Sequence, residues 1–547
     1  MLVSQPRNMP GIARTGLVSA LALLALSACG TAEGDAPQNQ ADTSSHNGAT
    51  ATEIAWRQGD VEDAFAEARE QNKPVLLYWG AVWCPPCNRL KAGLFRDPDF
   101  IARTRDFIPV YLDGDSKGAQ AWGERFNIQG YPTLIVLRPD RREVTRLFSS
   151  GDTAQVEAVL DAVKRGGRDI EPVFKDALTQ PKQLSADDWM LLAGYGWSLD
   201  NGRLVQGGDT ASALAKLAAA APNAPLQRRF ALQSLASRKP DSAPLDATKR
   251  AEARRAVEAV LAEPDELRSN RDTLVGRAGP ILAAASAPGA EREQLAGKYA
   301  AALKGFEAEP KLDTAERLSL AGAEIDLFRA RAGEKAKLPA ALVDKVKAQV
   351  ARADSETKDR YARQSLISSA AHLLSDIDDK AGAEKLLKAE LTKSASPYYY
   401  MPSLAKLAEQ RGNKAGALAW LRRGYETAEG PASRVQWGVS YVEGLVRLNP
   451  GDKAAIQKAA AQVVGELAEQ PAGYRQRTRQ RLEGLGKSLV QWSAKHDGAL
   501  VLTQLRNETD KVCAKQADAA TSTACRGWLG GAHAALPGRT GGRNGRA

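Results

Sequence analysis

The chain is expected to fold as a small α/β sandwich followed by a much larger all-helical region. Three observations carry that expectation. Between residues 61 and 164, short apolar runs alternate with segments of helical spacing. From 169 to 536 the chain is rich in alanine and leucine, with charges at helical spacing and no convincing strand runs. At the junction of the first apolar run and the following helical segment stands Trp83-Cys84-Pro85-Pro86-Cys87. Alternating strands and helices bury their apolar faces in layers, whereas an unbroken 3.6-residue period points to packed helices.

The elements follow in order. Residues 59–72 carry Val61, Ala64, Phe65 and Ala68 on one helical face. Residues 75–79 read as a buried strand and 88–95 as a helix. Residues 107–112 read as a strand, and 116–126 as a helix with Trp122 and Phe126 on one face. Residues 134–137 and 144–148 read as two further strands, the second at an edge, and 152–164 as a closing helix.

Two cysteines with two residues between them, at a strand-to-helix turn, suit a redox disulfide. Cys84 falls at the helix N-terminus, where unpaired N–H groups and the macrodipole favour an anion. That lowers the thiol pKa of Cys84, while Cys87 sits one turn in and is more shielded. Pro85 fits the first turn because its missing N–H costs nothing there. Cys84 then attacks a partner disulfide and Cys87 resolves the mixed disulfide. The alternative is half of a zinc site. Zinc takes four ligands, usually with a second closely spaced pair. The remaining cysteine pair, Cys513 and Cys525, lies far along the chain, and no histidine falls between 47 and 371. No metal is therefore expected, and no cofactor beyond the Cys84–Cys87 disulfide.

A second motif, Gly130-Tyr131-Pro132-Thr133, precedes the 134–137 strand. With both motifs in place, residues 55–165 resemble a thioredoxin domain. The resemblance implies a cis proline at Pro132 packed against the active disulfide, with Tyr131 facing the backbone of an incoming substrate. An ordinary trans proline at a strand start is the alternative. Within the family the segment is most similar to the C-terminal domain of DsbD-type periplasmic disulfide reductases. The features shared with them are Lys73-Pro74-Val75 before the strand and Phe95-Arg96-Asp97-Pro98-Asp99 after the active-site helix. The resemblance covers about a fifth of the chain, and its motifs specify exchange chemistry without specifying a substrate. One position departs from the family pattern. Tyr78 stands where many thioredoxins bury an acid that takes the proton of the second cysteine, and a buried tyrosine is a poor base. The inner pair Pro85-Pro86 lacks the histidine of strongly oxidising relatives, which implies a reducing or isomerising direction.

The remaining cysteine assignments follow the chain's ends. Residues 1–28 read as a signal peptide, with Arg7 and Arg14 before an apolar core at 17–26. Such a core is too short to span a bilayer. Met9 is an alternative start. Leu26-Ser27-Ala28-Cys29-Gly30 resembles the bacterial lipoprotein box, which makes Cys29 the lipidated mature N-terminus. By the same resemblance, Gly30 favours the outer membrane. The alternative is an ordinary secretory signal with a chance cysteine. Residues 29–52 are too poor in apolar residues to fold and read as a tether spanning roughly 25 Å. Cys513 and Cys525 would close a structural disulfide in an oxidising compartment, or form a second, regulatory pair.

The domain organisation expected is thus signal 1–28, tether 29–52, α/β domain 53–166, helical domain 169–536 and a Gly/Arg tail 537–547. Fifteen or so helices are expected in the helical domain. Lys380-Ala381-Gly382-Ala383 recurs at Lys414-Ala415-Gly416-Ala417, and Pro397 recurs at Pro431 with the same offset of 34 residues. That offset is similar to the tetratricopeptide period and suggests a helical solenoid with a concave protein-binding surface; a packed all-helical domain is the alternative. Trp189, Trp197, Trp420, Trp437, Trp492 and residues 398–400 read as core or groove packing. His372, His496 and His533 read as structural or exposed. The net charge of +10 in an exported chain does not indicate nucleic acid. The reading is a lipid-anchored, periplasm-facing thiol:disulfide oxidoreductase. Trp83, Pro85, Pro86, Tyr131 and Pro132 shape its site, and protein thiols and an electron donor are its partners. The competing reading is a helical adaptor that uses the α/β fold as a docking module.

Overall fold

A computed structural model describes residues 53–530, apart from 59, 129, 148–152, 201 and 311. The signal, Cys29, the tether, His533 and the tail 537–547 lie outside the described residues. Among those described, no helix is long and apolar enough to cross a membrane.

The α/β domain runs α1 (Val61–Gln71), β1 (Val75–Gly80), α2 (Pro85–Ala92), α3 (Pro98–Thr104), β2 (Ile108–Asp113), α4 (Ala119–Arg125), β3 (Thr133–Leu137), β4 (Glu143–Leu147) and α5 (Thr153–Lys164). Local chemistry sets these boundaries. Asp60 caps α1 by accepting from the Glu62 N–H at 2.9 Å, and Asn72 ends it in the left-handed conformation, which asparagine tolerates. Asp97 caps α3 at the Asp99 and Phe100 amides, and Pro98 takes the first helical position.

The sheet order is β2-β1-β3-β4. β1 runs parallel to β2 and antiparallel to β3, and β3 runs antiparallel to β4. All six residues of β1 are buried, so the sheet is covered on both faces. Period-two alternation divides its side chains. Val75, Leu77 and Trp79 join Phe65, Ala68, Ala119 and Phe126 of α1 and the α4 end in one core. Leu76, Tyr78, Leu134 and Val136 join Leu90, Phe100, Val159 and Leu160 of α2, α3 and α5 in the other. This second core continues into the helical region through Ile170, Trp189, Trp437, Leu485 and Trp528.

Among the described residues the helical region holds twenty α-helices between Ile170 and Arg526, more than the fifteen or so expected. The excess comes from short helices that the alanine-rich pattern conceals. Residues 247–285 break into Ala247–Ala262, Pro264–Ser269, Arg271–Gly276 and Ala278–Ala285. Only the first of these breaks carries a proline. The 34-residue offset has a local structural basis. Asp379 and Asn413 each cap a helix by accepting from the glycine amide three residues on, Gly382 and Gly416, both at 2.8 Å. Pro397 opens a 3-10 turn and Pro431 an α-helix. Two further cores, one from Leu232 to Leu327 and one from Leu318 to Leu407, follow along the chain before the last helices rejoin the α/β core. Cys513 and Cys525 are bonded and buried there.

The helical region grips the α/β domain at β4. Leu147 bridges Tyr195, and the Gly196 N–H donates to the Arg146 carbonyl at 2.8 Å. Arg146, fully buried, donates to the carbonyls of Phe126 (2.8 Å), Asn127 (3.2 Å) and Leu199 (2.9 Å) and to the Glu143 carboxylate (2.9 Å).

Candidate functional site

The 81–84 turn leaves β1 and delivers Cys84 to the N-cap of α2. Its φ and ψ of −76° and 113° are extended, and its Sγ accepts from the Cys87 N–H at 3.1 Å. Pro85 follows at the first helical position. Cys84 and Cys87 are bonded to one another, with Cα atoms 5.2 Å apart. When the pair is reduced, the same amide and the helix N-terminus favour thiolate at Cys84 over Cys87. The Tyr131–Pro132 bond is cis. Tyr131 stacks on Trp79 at 5.7 Å and meets Trp83 edge-on at 5.3 Å. The sequence-derived site residues Trp83, Cys84, Pro85, Cys87 and Tyr131 thus stand around one turn and one loop. Pro86 is exposed on the outer side of α2. Cys513 and Cys525 form a separate pair in the helical region.

Tyr78 is 1% exposed and its hydroxyl has no hydrogen-bond partner. Burial drives its pKa far above the ordinary value, with Tyr111 and Asp113 adding to the effect. It is therefore no proton acceptor for Cys87. Asp113 ends β2, and Asp115, just beyond it, is the acid bonded to Trp83. Burial raises the pKa of both. Lys91, one turn after Cys87 on α2, is held below its usual value by burial, against the attraction of Asp113.

Sequence reasoning missed the residues that surround Trp83 from the helical region. Asp115, 7% exposed, accepts from Trp83 Nε1 at 2.5 Å, from the Ser433 amide at 2.8 Å and from Ser433 Oγ at 2.7 Å. The Trp83 ring stacks on Tyr399 at 5.9 Å and meets Trp437 edge-on at 5.2 Å. The Arg477 guanidinium lies 5.3 Å from the Trp83 ring centre and 5.1 Å from that of Tyr131, a favourable cation–π geometry. Gln364 Nε2 donates to the Trp83 carbonyl at 3.2 Å, and its helix, Arg360–Asp376, packs along α2. Cys84 is consequently 2% exposed and Cys87 0%. Trp437, expected in core or groove packing, lies with its ring on the redox turn. His372 and His496 are exposed.

Residues 55–139 match the family model described as thioredoxin-like. The chain is 29% identical over 122 residues to the thiol:disulfide interchange protein DsbD 1 of Pseudomonas aeruginosa, covering 21% of each protein. It is 26% identical over 110 residues to the thioredoxin-related protein DsbJ of Chlamydia pneumoniae, covering 18% of this chain and 31% of that one. To a thioredoxin H-type of Brassica oleracea it is 28% identical over 83 residues, covering 15% of this chain and 63% of the relative. The chain thus spans less than two thirds of each of these proteins. It carries a thioredoxin-like α/β domain with a CxxC disulfide, Cys84–Cys87, followed by a large helical region.

Proposed function

We propose that this chain is a thiol:disulfide oxidoreductase of the bacterial cell envelope that reduces or isomerises disulfides of exported proteins through Cys84 and Cys87. The observation that carries the reading is the CxxC pair capping α2, with Cys84 Sγ accepting the helix-terminal amide of Cys87. In the reducing direction, the Cys84 thiolate attacks one sulfur of a client disulfide. A Cys84–client S–S bond forms, the client bond breaks, and the departing sulfur takes a proton. Cys87 then gives up its proton, its sulfur attacks Cys84 Sγ and closes the Cys84–Cys87 bond, and the second client sulfur leaves and takes up a proton. Two electrons pass to the client, and a dithiol donor must return them.

The envelope setting rests on the sequence of 1–30. Cys29 would be acylated and would hold the protein on a membrane leaflet, the outer membrane being favoured by Gly30, with 31–52 as tether and the catalytic domain in the periplasm. The paired caps at Asp379 and Asn413 support a tetratricopeptide-like arrangement over 380–448. The covering of Trp83 by the helical region favours a second reading, in which that region is a scaffold and the α/β fold a docking module.

Cys87→Ser decides between them. Exchange chemistry leaves Cys84 bonded to client proteins as species that dithiothreitol releases, whereas Cys84→Ser/Cys87→Ser gives none. Absence of any such species from envelope extracts, both in Cys87→Ser and in Cys87→Ser with Tyr399→Ala, would leave the scaffold reading.

A further inference from the structure

The groove beside Cys84 is already filled. A client reaching Cys84 would lie against Trp83 and Tyr131, and both rings are covered by this chain's own helical region. Four separated segments contribute. Gln364 comes from the Arg360–Asp376 helix, Tyr399 from the turn at Pro397, Ser433 and Trp437 from the Pro431–Leu448 helix, and Arg477 from the Gln476–His496 helix. Covalent attack on Cys84 needs a line of approach along the S–S bond, and a sulfur on a residue 2% exposed offers none to a protein.

The two junctions between the helical region and the α/β domain differ in kind. At β4 the junction is backbone pairing plus a fully buried arginine that donates across it to the Leu199 carbonyl. Over the redox turn there is no strand pairing among the described residues: it is hydrogen bonds that each use a side chain, ring contacts, a buried apolar seam and ion pairs, of which Arg96–Asp359 is the most exposed. The ion pairs are Arg479 with Glu124 at 2.8 Å, Arg475 with Glu124 at 3.4 Å and Arg96 with Asp359 at 3.1 Å. Such pairs contribute little each, and ring contacts contribute about 0.5–1.5 kcal/mol. One junction has the composition of a fixed attachment and the other that of a releasable one. The covering also ends abruptly: Val82, directly before Trp83, is 47% exposed.

We propose that the helical region is a built-in cap on the redox centre, seated where a client chain would lie and held by the contact of Asp115 with Ser433, so that Cys84 exchanges only after this cap moves off Trp83. The inference rests on the exchange reading for its biological meaning, but the cap itself is testable without clients.

The full chain with both disulfides oxidised is treated with dithiothreitol. Release of the Cys84 and Cys87 thiols is timed by maleimide mass-tagging and peptide mapping, which separates them from Cys513 and Cys525. Tyr399→Ala deletes the ring stacked on Trp83. Arg479→Glu sets two carboxylates against each other at Glu124. Tyr399→Ala is expected to speed reduction about ten-fold, equivalent to about 1.4 kcal/mol of lost closure, and Arg479→Glu about three-fold or more. Glu124→Arg added to Arg479→Glu is expected to return the rate to within about two-fold of wild type. Wild-type rates in whichever of the two variants keeps a native circular dichroism spectrum overturn the cap. If reduction accelerates while Cys87→Ser captures no client even in the Tyr399→Ala background, the cap stands and the exchange reading falls. If Cys87→Ser captures clients but the rates do not change, the reverse holds.

Discussion

Replacing Asp115 probes the contact that joins Trp83 to the helical region. Its carboxylate accepts from Trp83 Nε1 and from both the amide and hydroxyl of Ser433. In Asp115→Ala the Ser433 hydroxyl can turn elsewhere, but the indole N–H and the amide N–H remain buried without an acceptor. Each such orphan costs about 1–3 kcal/mol, so two give about 2–6 kcal/mol. Part of this is offset because burial, opposed by these same hydrogen bonds, leaves the Asp115 pKa above its ordinary value. The charged carboxylate is therefore held at some cost near neutrality. A net loss of about 2–4 kcal/mol at pH 7 is expected, read from urea unfolding followed by circular dichroism. Asp115→Asn keeps one acceptor oxygen and should lose about half as much. The pH dependence has a fixed sign. A carboxyl whose folded pKa is raised contributes stability that is fully present below the unfolded pKa, about 3.9, and is lost as pH rises through the folded value. The stability gap between wild type and Asp115→Asn should therefore narrow as pH rises from about 4. Neighbouring Asp113 raises the Asp115 pKa further, and because Asp115→Asn removes that repulsion it adds to the narrowing in the same direction. A loss under about 0.5 kcal/mol for Asp115→Ala, or a gap that widens with pH, would refute the reasoning.

Three further outcomes follow from the packing. Arg146→Met removes the donor to the carbonyls of Phe126 and Leu199 and the buried partner of Glu143 and should cost about 3–5 kcal/mol by urea unfolding. Arg146→Lys should recover only part, because an ammonium lacks the planar fork. Gly430 has φ +86°, and a Cβ built there would lie 2.7 Å from Asp115 Cβ. Gly430→Ala is thus expected to cost about 1–3 kcal/mol and to speed dithiothreitol reduction of Cys84–Cys87. Cys513→Ser/Cys525→Ser should lower stability by about 3 kcal/mol while mixed-disulfide capture through Cys84 persists in the Cys87→Ser background.

How much of this was legible in the sequence depended on how local each signal was. The α/β elements could be placed because their causes lie within a few residues. Unbroken apolar runs mark β1 and β3, helical spacing marks α1, and Pro85 sits at the first helical position of α2, whereas α3, capped by Asp97 and opened by Pro98, is too short to show a helical period and was not expected. The helical count fell short because Asn270 and Arg277 end helices without a proline to announce it. The cysteine pair and Tyr131-Pro132 each form a contiguous motif. Asp115, Gln364, Ser433 and Arg477 form none. Gln364 meets Trp83 across 281 residues of sequence, and Ser433 meets Asp115 across 318. Neither a buried glutamine on an amphipathic helix nor a serine after a proline carries any local mark of such a partner. The sequence therefore allowed a docking groove at Trp83 and Tyr131 but could not reveal that the groove is filled from within.

The most direct measurement is the equilibrium reduction potential of Cys84–Cys87 in the full chain, titrated in dithiothreitol redox buffers and read by peptide mapping. For a two-electron couple, about 30 mV is a tenfold change in the exchange constant. A working exchange centre should titrate reversibly between about −270 and −120 mV, and the reducing direction places it toward −270 mV. A value below about −300 mV, where structural disulfides lie, with the fold intact would contradict exchange at this site.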